Sequence, residues 1–151
     1  MSSLERPESA EWYALFEGRV EWDRVKQFGA TLRDANMDTV LWAELRDLME
    51  RAAREGLPQG KGPDGKGFKW PMERCRDDLG HLKMDVGNDQ HRIYFTAPSE
   101  QGFESFLLAL LYGLKLADDP DWKTVQNGHI DAAHSYYQEW RNDRAAHRLG
   151  L

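Results

Sequence analysis

With 151 residues the chain holds one domain's worth of sequence, enough to bury a core but too short for two. Its 26 acidic and 20 basic residues leave a net charge of −6, which weighs against a broadly basic nucleic-acid surface. The single cysteine, Cys75, excludes an internal disulfide and a cysteine-based zinc site, and six tryptophans argue for packed structure rather than disorder.

The charge is unevenly spread. Residues 1–56 sum to −4, residues 57–95 to +1 and residues 96–151 to −3, so only the middle segment escapes the acidic bias. No N-terminal apolar segment resembles a signal peptide, and no apolar run approaches the roughly 20 residues needed to span a bilayer. A cytoplasmic protein without a membrane partner is expected.

Residues 1–10, with Pro7 and small polar side chains, read as a loose arm ahead of a single domain at 11–147. Trp12 to Phe16 fits either a short strand or a helical turn. Val20-Glu-Trp22 is equally two-sided, which leaves residues 11–22 as candidates for an edge strand. Val25, Phe28 and Leu32 then recur at helical spacing. Asn36 or Asp38 can cap a second helix, on which Leu41, Leu45, Leu48 and Ala52 follow a period of about 3.6 residues. Gly56 ends it, with Pro58 behind. Residues 56–67 hold five glycines, two prolines and three charges, the composition of a mobile loop. As a phosphate loop it is weak, because it lacks the GxxxxGK[ST] spacing and opens no helix.

Three strands are expected near 79–86, 91–97 and 103–112. In the first, Leu82, Met84 and Val86 alternate with His81, Lys83 and Asp85; in the second, Ile93 and Phe95 alternate with Arg92 and Tyr94. The turn at Gly87-Asn88-Asp89 makes a hairpin with one wet face. Lys83 and Arg92 project to that face, where two cations can meet one anionic ligand. His81 lies two residues earlier on the same side, and His91 points the opposite way, toward a helix. Phe106 to Tyr112 is an unbroken apolar run and reads as a fully buried strand, whose end can deliver Lys115 to the same neighbourhood.

Asp118-Asp-Pro-Asp121 breaks the chain. A closing helix from about Ile130 carries Ala133, His134, Tyr137 and Trp140 on one stripe, and Tyr136 falls outside it. His129 and His134 are five apart, a poor fit to the i, i+4 pair of a helical metal site, so neither metal nor cofactor is expected. The plan is α+β: N-terminal helices, a small twisted antiparallel sheet, and a C-terminal helix.

Leu79-x-x-Leu82-Lys83, the turn, and Arg92-Ile-Tyr-Phe95, set in that order of parts, resemble the RelE/HigB-like toxins of bacterial type II toxin–antitoxin modules and their phage relatives. The likeness runs from about Val20 to Trp140. Trp122 with Ile130, Ala133 and Tyr137 is similar to the terminal pattern of HigB-type members. The resemblance implies two helices before a small twisted sheet, with an edge strand ahead of the first helix. It also implies metal-independent cleavage of messenger RNA, typically on the ribosome, under control of a cognate antitoxin of the helix-turn-helix kind.

In the site that the resemblance implies, Arg92 binds phosphate through its planar fork, Lys83 adds charge stabilisation and His81 carries a proton. Lys115, Lys66, Lys69 and Tyr136 are the implied RNA contacts, with Lys61 in the same basic loop. The family usually has Glu where His81 stands, Arg where Lys83 stands, and consecutive lysines where Lys115 is followed by aspartates. These departures keep two other expectations open: a non-catalytic protein-binding module on the same fold, as a phage or mobile-element effector, and a gyrase inhibitor of the ParE-like class.

Overall fold

The computed structural model describes residues 7–16, 18–60, 62, 64–72 and 78–148. Residues 1–6, Lys61 and Cys75 lie outside that set. Helix α1 spans Pro7–Phe16, strand β1 Glu21–Arg24, helix α2 Lys26–Asp34 and helix α3 Thr39–Glu55. Strands β2 (Lys66–Lys69), β3 (Gly80–Val86), β4 (Asp89–Thr96) and β5 (Phe106–Lys115) follow, and helix α4 (Trp122–Arg148) closes the chain.

The fold is α+β, but its sheet has five strands rather than three, in the order β1-β5-β4-β3-β2. β2 to β5 form antiparallel ladders, and β1 joins β5 in parallel, which makes the sheet mixed. β1 lies at the end of the stretch that the sequence leaves open, with Trp22 opposite Leu107. Trp12 to Phe16 is helical instead. That helix takes in residues 7–10, which composition assigns to the arm. Proline suits a first helical position, and Trp12 and Phe16 bury completely, so hydrophobic docking holds the helix in place.

Two further boundaries shift. α4 starts at Trp122, well before Ile130, and the Val125 amide donates to the Asp121 carbonyl at 3.1 Å. Asp-Pro-Asp is therefore a helix start: acidic groups favour the positive end of the helix dipole, and proline is tolerated where no amide partner exists. β2 begins at Lys66, inside the expected loop. The Gly60 amide donates to the Phe68 carbonyl at 2.8 Å, the Phe68 amide donates to Pro58 at 3.0 Å, and Asp64 pairs with Arg51 at 2.7 Å. Glycine permits this close approach rather than mobility, because a Cβ on Gly67 would lie 2.2 Å from the Gly60 carbonyl oxygen. α3 follows its sequence signals, with Asp38 accepting from the Leu41 amide at 2.7 Å and Gly56 ending the helix at φ +80°.

Alternation sorts the sheet into two faces. One carries Phe68, Leu82, Met84, Ile93 and Phe95 and meets the N-terminal helices. The Phe95 ring lies 5.6 Å from those of Phe16, Trp22 and Trp70 and 6.0 Å from Trp12. The other face lies toward α4, whose Ile130, Ala133, Tyr137 and Trp140 are buried. The hairpin's polar side is therefore only partly wet: His81, Arg92 and Thr96 are buried on it, and Lys83, Asp85 and Gln90 are half-buried. Among the described residues no helix is long and apolar enough to cross a membrane.

Candidate functional site

The register of the sheet assembles a cation cluster on the face beneath α4. Lys83 pairs directly with Arg92 across the β3–β4 ladder, and Arg92 with Gly113 across β4–β5. One pleat away on the same face, His81 pairs with Lys69 on one side and Tyr94 on the other. In the opposite direction Gln90 sits between Asp85 and Lys115. Lys69, Lys83, Arg92 and Lys115 thus come from four adjacent strands and share one surface.

Arg92 is 7% exposed, and its hydrogen bonds run to neutral groups: Nε donates to Gln90 Oε1 at 2.7 Å and Nη1 to the Tyr94 hydroxyl at 3.4 Å. The cations act on one another and on two imidazoles. Burial pushes His81 well below the usual histidine range, and the charges of Arg92, Lys83, Lys69 and Lys115 push it further. His129 of α4 is lowered by burial and by Arg92. Lys115 is lowered by burial and then by Arg92 and Lys83, with Asp85 opposing. Carboxylates border the cluster, Asp85 on the same face and Asp119 in the lining around Arg92, so the mutual repulsion is offset only in part.

Gly113 is the reason α4 comes so close. A Cβ at Gly113 would stand 2.6 Å from His129 Nδ1, so the imidazole occupies the space a side chain would take. His129, Tyr94 and Trp122 are the site residues that sequence reasoning missed. A glycine in the middle of an apolar strand was the available signal for a close neighbour. The Trp122 ring lies 4.0 Å from Lys115 Nζ, a cation–π contact that caps the cluster.

Around Arg92 this leaves a small pocket, about 10 Å³, which Tyr94, Lys115, Trp122, Gln126 and His129 help to line. Next to it an open groove of about 410 Å³ shares Trp122 and Gln126 with the pocket and is lined also by Lys69, Met72, Lys123 and Asn127. Two expected contacts lie elsewhere. Lys66 pairs with Met84, so alternation turns it to the other face, beside Glu44 and Asp47 of α3. Tyr136 packs half-buried against the core two turns beyond His129 and lines neither space. His81 is on the expected face but only 3% exposed, and it lies outside the pocket lining. His91 points to the helix-pair face, as alternation predicts, with Nδ1 2.6 Å from the Tyr112 hydroxyl. Among the described residues no three His, Cys, Asp or Glu side chains converge to hold a metal.

These histidines make stability pH-dependent with a definite sign. His81, His91 and His129 are each depressed below 6.5 in the fold, and unfolding returns them toward that value. Between the folded and unfolded values the unfolded chain binds more protons, so stability is complete above about pH 7 and declines as pH falls through about 6.5. Urea midpoints measured from pH 7.5 to 5 are expected to drop over that window, less steeply in His81→Gln. A flat profile for the native sequence contradicts the neutral, buried imidazoles.

Comparison with family models, with curated proteins and with solved structures finds no match to this chain.

Proposed function

We propose that this chain is a RelE/HigB-like, metal-independent endoribonuclease that cleaves single-stranded messenger RNA, free or on the ribosome. A cognate antitoxin of helix-turn-helix type would hold it inactive. The observation that carries the reading is the set of four cations from four adjacent strands around two neutral imidazoles, in a chain of net charge −6. A phosphodiester is the kind of ligand that four basic side chains gathered on one surface favour, with Asp85 and Asp119 at its border. The order of helix pair, twisted meander and closing helix, with β1 ahead of the pair, also supports it.

The chemistry assigns roles by position. The 2′-hydroxyl oxygen attacks the adjacent phosphorus; the P–O2′ bond forms as the P–O5′ bond breaks, leaving a 2′,3′-cyclic phosphate and a 5′-hydroxyl. Negative charge grows on the non-bridging oxygens, where the Arg92 fork and Lys83 stabilise it. His129 lines the pocket, and burial and the Arg92 charge favour its neutral form, so it, rather than the enclosed His81, accepts the 2′-hydroxyl proton. His81 acts from behind Tyr94 as a positioning residue. Lys115 gives up its proton more readily than an ordinary lysine and suits the leaving 5′-oxygen.

The tight closure over Arg92 favours one other reading: a non-catalytic binding module whose exposed faces carry a protein partner while the cluster stays dormant. One experiment separates the two. Single-stranded RNA, naked and ribosome-bound, is incubated with the purified protein in the presence of a chelator. Cleavage with cyclic-phosphate and 5′-hydroxyl ends, together with growth arrest on expression, is expected. Intact RNA in both settings and unimpaired growth would leave the binding module as the reading.

A further inference from the structure

Beside the Arg92 pocket, the open groove between β2 and the first turns of α4 has no part in the cleavage chemistry above. Its walls combine three features. Trp122 is half-buried and lines both the groove and the pocket, with Lys115 4.0 Å from its ring. Gln126, one turn later on the same helix, also lines both, and its Oε1 is buried without a hydrogen-bond partner. Lys69, exposed at the end of β2, and Lys123, exposed on α4, put cations at the rim. At about 410 Å³ the groove falls within the roughly 300–1,000 Å³ of small-ligand pockets.

We propose that this groove seats the nucleotide next to the scissile phosphate of a single-stranded RNA, its base stacked on Trp122 and its edge beside the Gln126 amide. Lys69 and Lys123 hold the flanking phosphate. The proposal rests on the ribonuclease reading and extends it by naming a base-recognition subsite at the Lys69 edge of the cation cluster. The reasons are chemical. An aromatic ring accepts any base by stacking. Gln126 Oε1 is closed off and unpartnered in the free protein, so a turn of that side chain toward a base N–H exchanges an unmatched buried acceptor for a hydrogen bond. Because Trp122 and Gln126 border both spaces, a base in the groove places its own phosphate toward Arg92.

The test uses a short RNA with 2′-O-methyl groups, which binds but cannot be cleaved, and a matched oligonucleotide lacking one base. The native protein is expected to bind the intact oligonucleotide with quenching of tryptophan fluorescence and to bind the abasic one roughly 5- to 150-fold more weakly, the range for one stacked base. Trp122→Ala should bind both alike, without that quenching. Gln126→Leu, which keeps the helix and a similar volume, should also weaken the intact oligonucleotide. If both variants discriminate against the abasic oligonucleotide as the native protein does, while Arg92→Gln weakens all binding, the subsite is wrong and the cation site stands. If the native protein binds neither oligonucleotide, the ribonuclease reading fails together with the subsite.

Discussion

Arg92→Met is expected to slow RNA cleavage by about 10²–10³-fold while leaving thermal stability unchanged or raised. The first half follows from the role: fixed donors aimed at developing phosphate charge are worth about that factor when one is removed. The second half follows from burial. Arg92 is almost wholly enclosed, bonded to neutral partners, and set opposite Lys83 with Lys115 close enough to be perturbed by it. A buried charge without a matching counter-charge costs desolvation, and an apolar side chain of similar shape relieves that cost. Gln90 keeps a second hydrogen bond, from Nε2 to Asp85 at 3.2 Å, so the vacated acceptor is a small loss. Opposite effects on activity and stability are the signature of a residue kept for chemistry. Arg92→Lys, which retains charge but loses the planar fork, should fall between the two. Cleavage rates on a defined RNA, read beside urea midpoints, check all three proteins. Full cleavage by the methionine variant removes Arg92 from the mechanism, and a stability loss above about 2 kcal/mol makes it structural.

Phe95→Ala should be among the most damaging substitutions in the chain. Phe95 is fully buried where four aromatic rings converge, from α1, β1 and the segment after β2. Truncating a buried phenylalanine costs roughly 3–5 kcal/mol, through lost transfer energy and the cavity left behind. For a chain of this length that corresponds to a fall of roughly 6–20 °C in Tm. The loss should be global, because the same ring joins the N-terminal helix to the sheet. Circular dichroism melting provides the measurement; a shift under about 3 °C would mean that α1 does not close the core as described.

The contrast between these two residues shows where local pattern suffices. Phe95 and Arg92 are three apart on one strand, and alternation alone assigns them to opposite faces. The same period puts Lys83 beside Arg92, and the ladder makes them direct partners. The apolar run at 106–112, the capping of α3 by Asp38 and its end at Gly56 were equally legible, because each depends on a few neighbouring residues. Lys66 was not. Glycines and prolines hide the start of β2, and without the start its parity, and hence its face, is undefined.

Other features depended on partners distant in sequence. Alternation suggested a hairpin with one wet face, yet α4 lies over β4 and β5 and leaves His81 and Arg92 buried. His129 enters the site only because Gly113 has no side chain, and Trp122 only because α4 begins a full two turns before the apolar stripe announces it. By itself the sequence determined which side of the β3–β4 hairpin each charged residue takes. Only the tertiary structure decided what covers that side, because a covering helix is chosen by the area it buries across the whole chain, and no local spacing encodes that area.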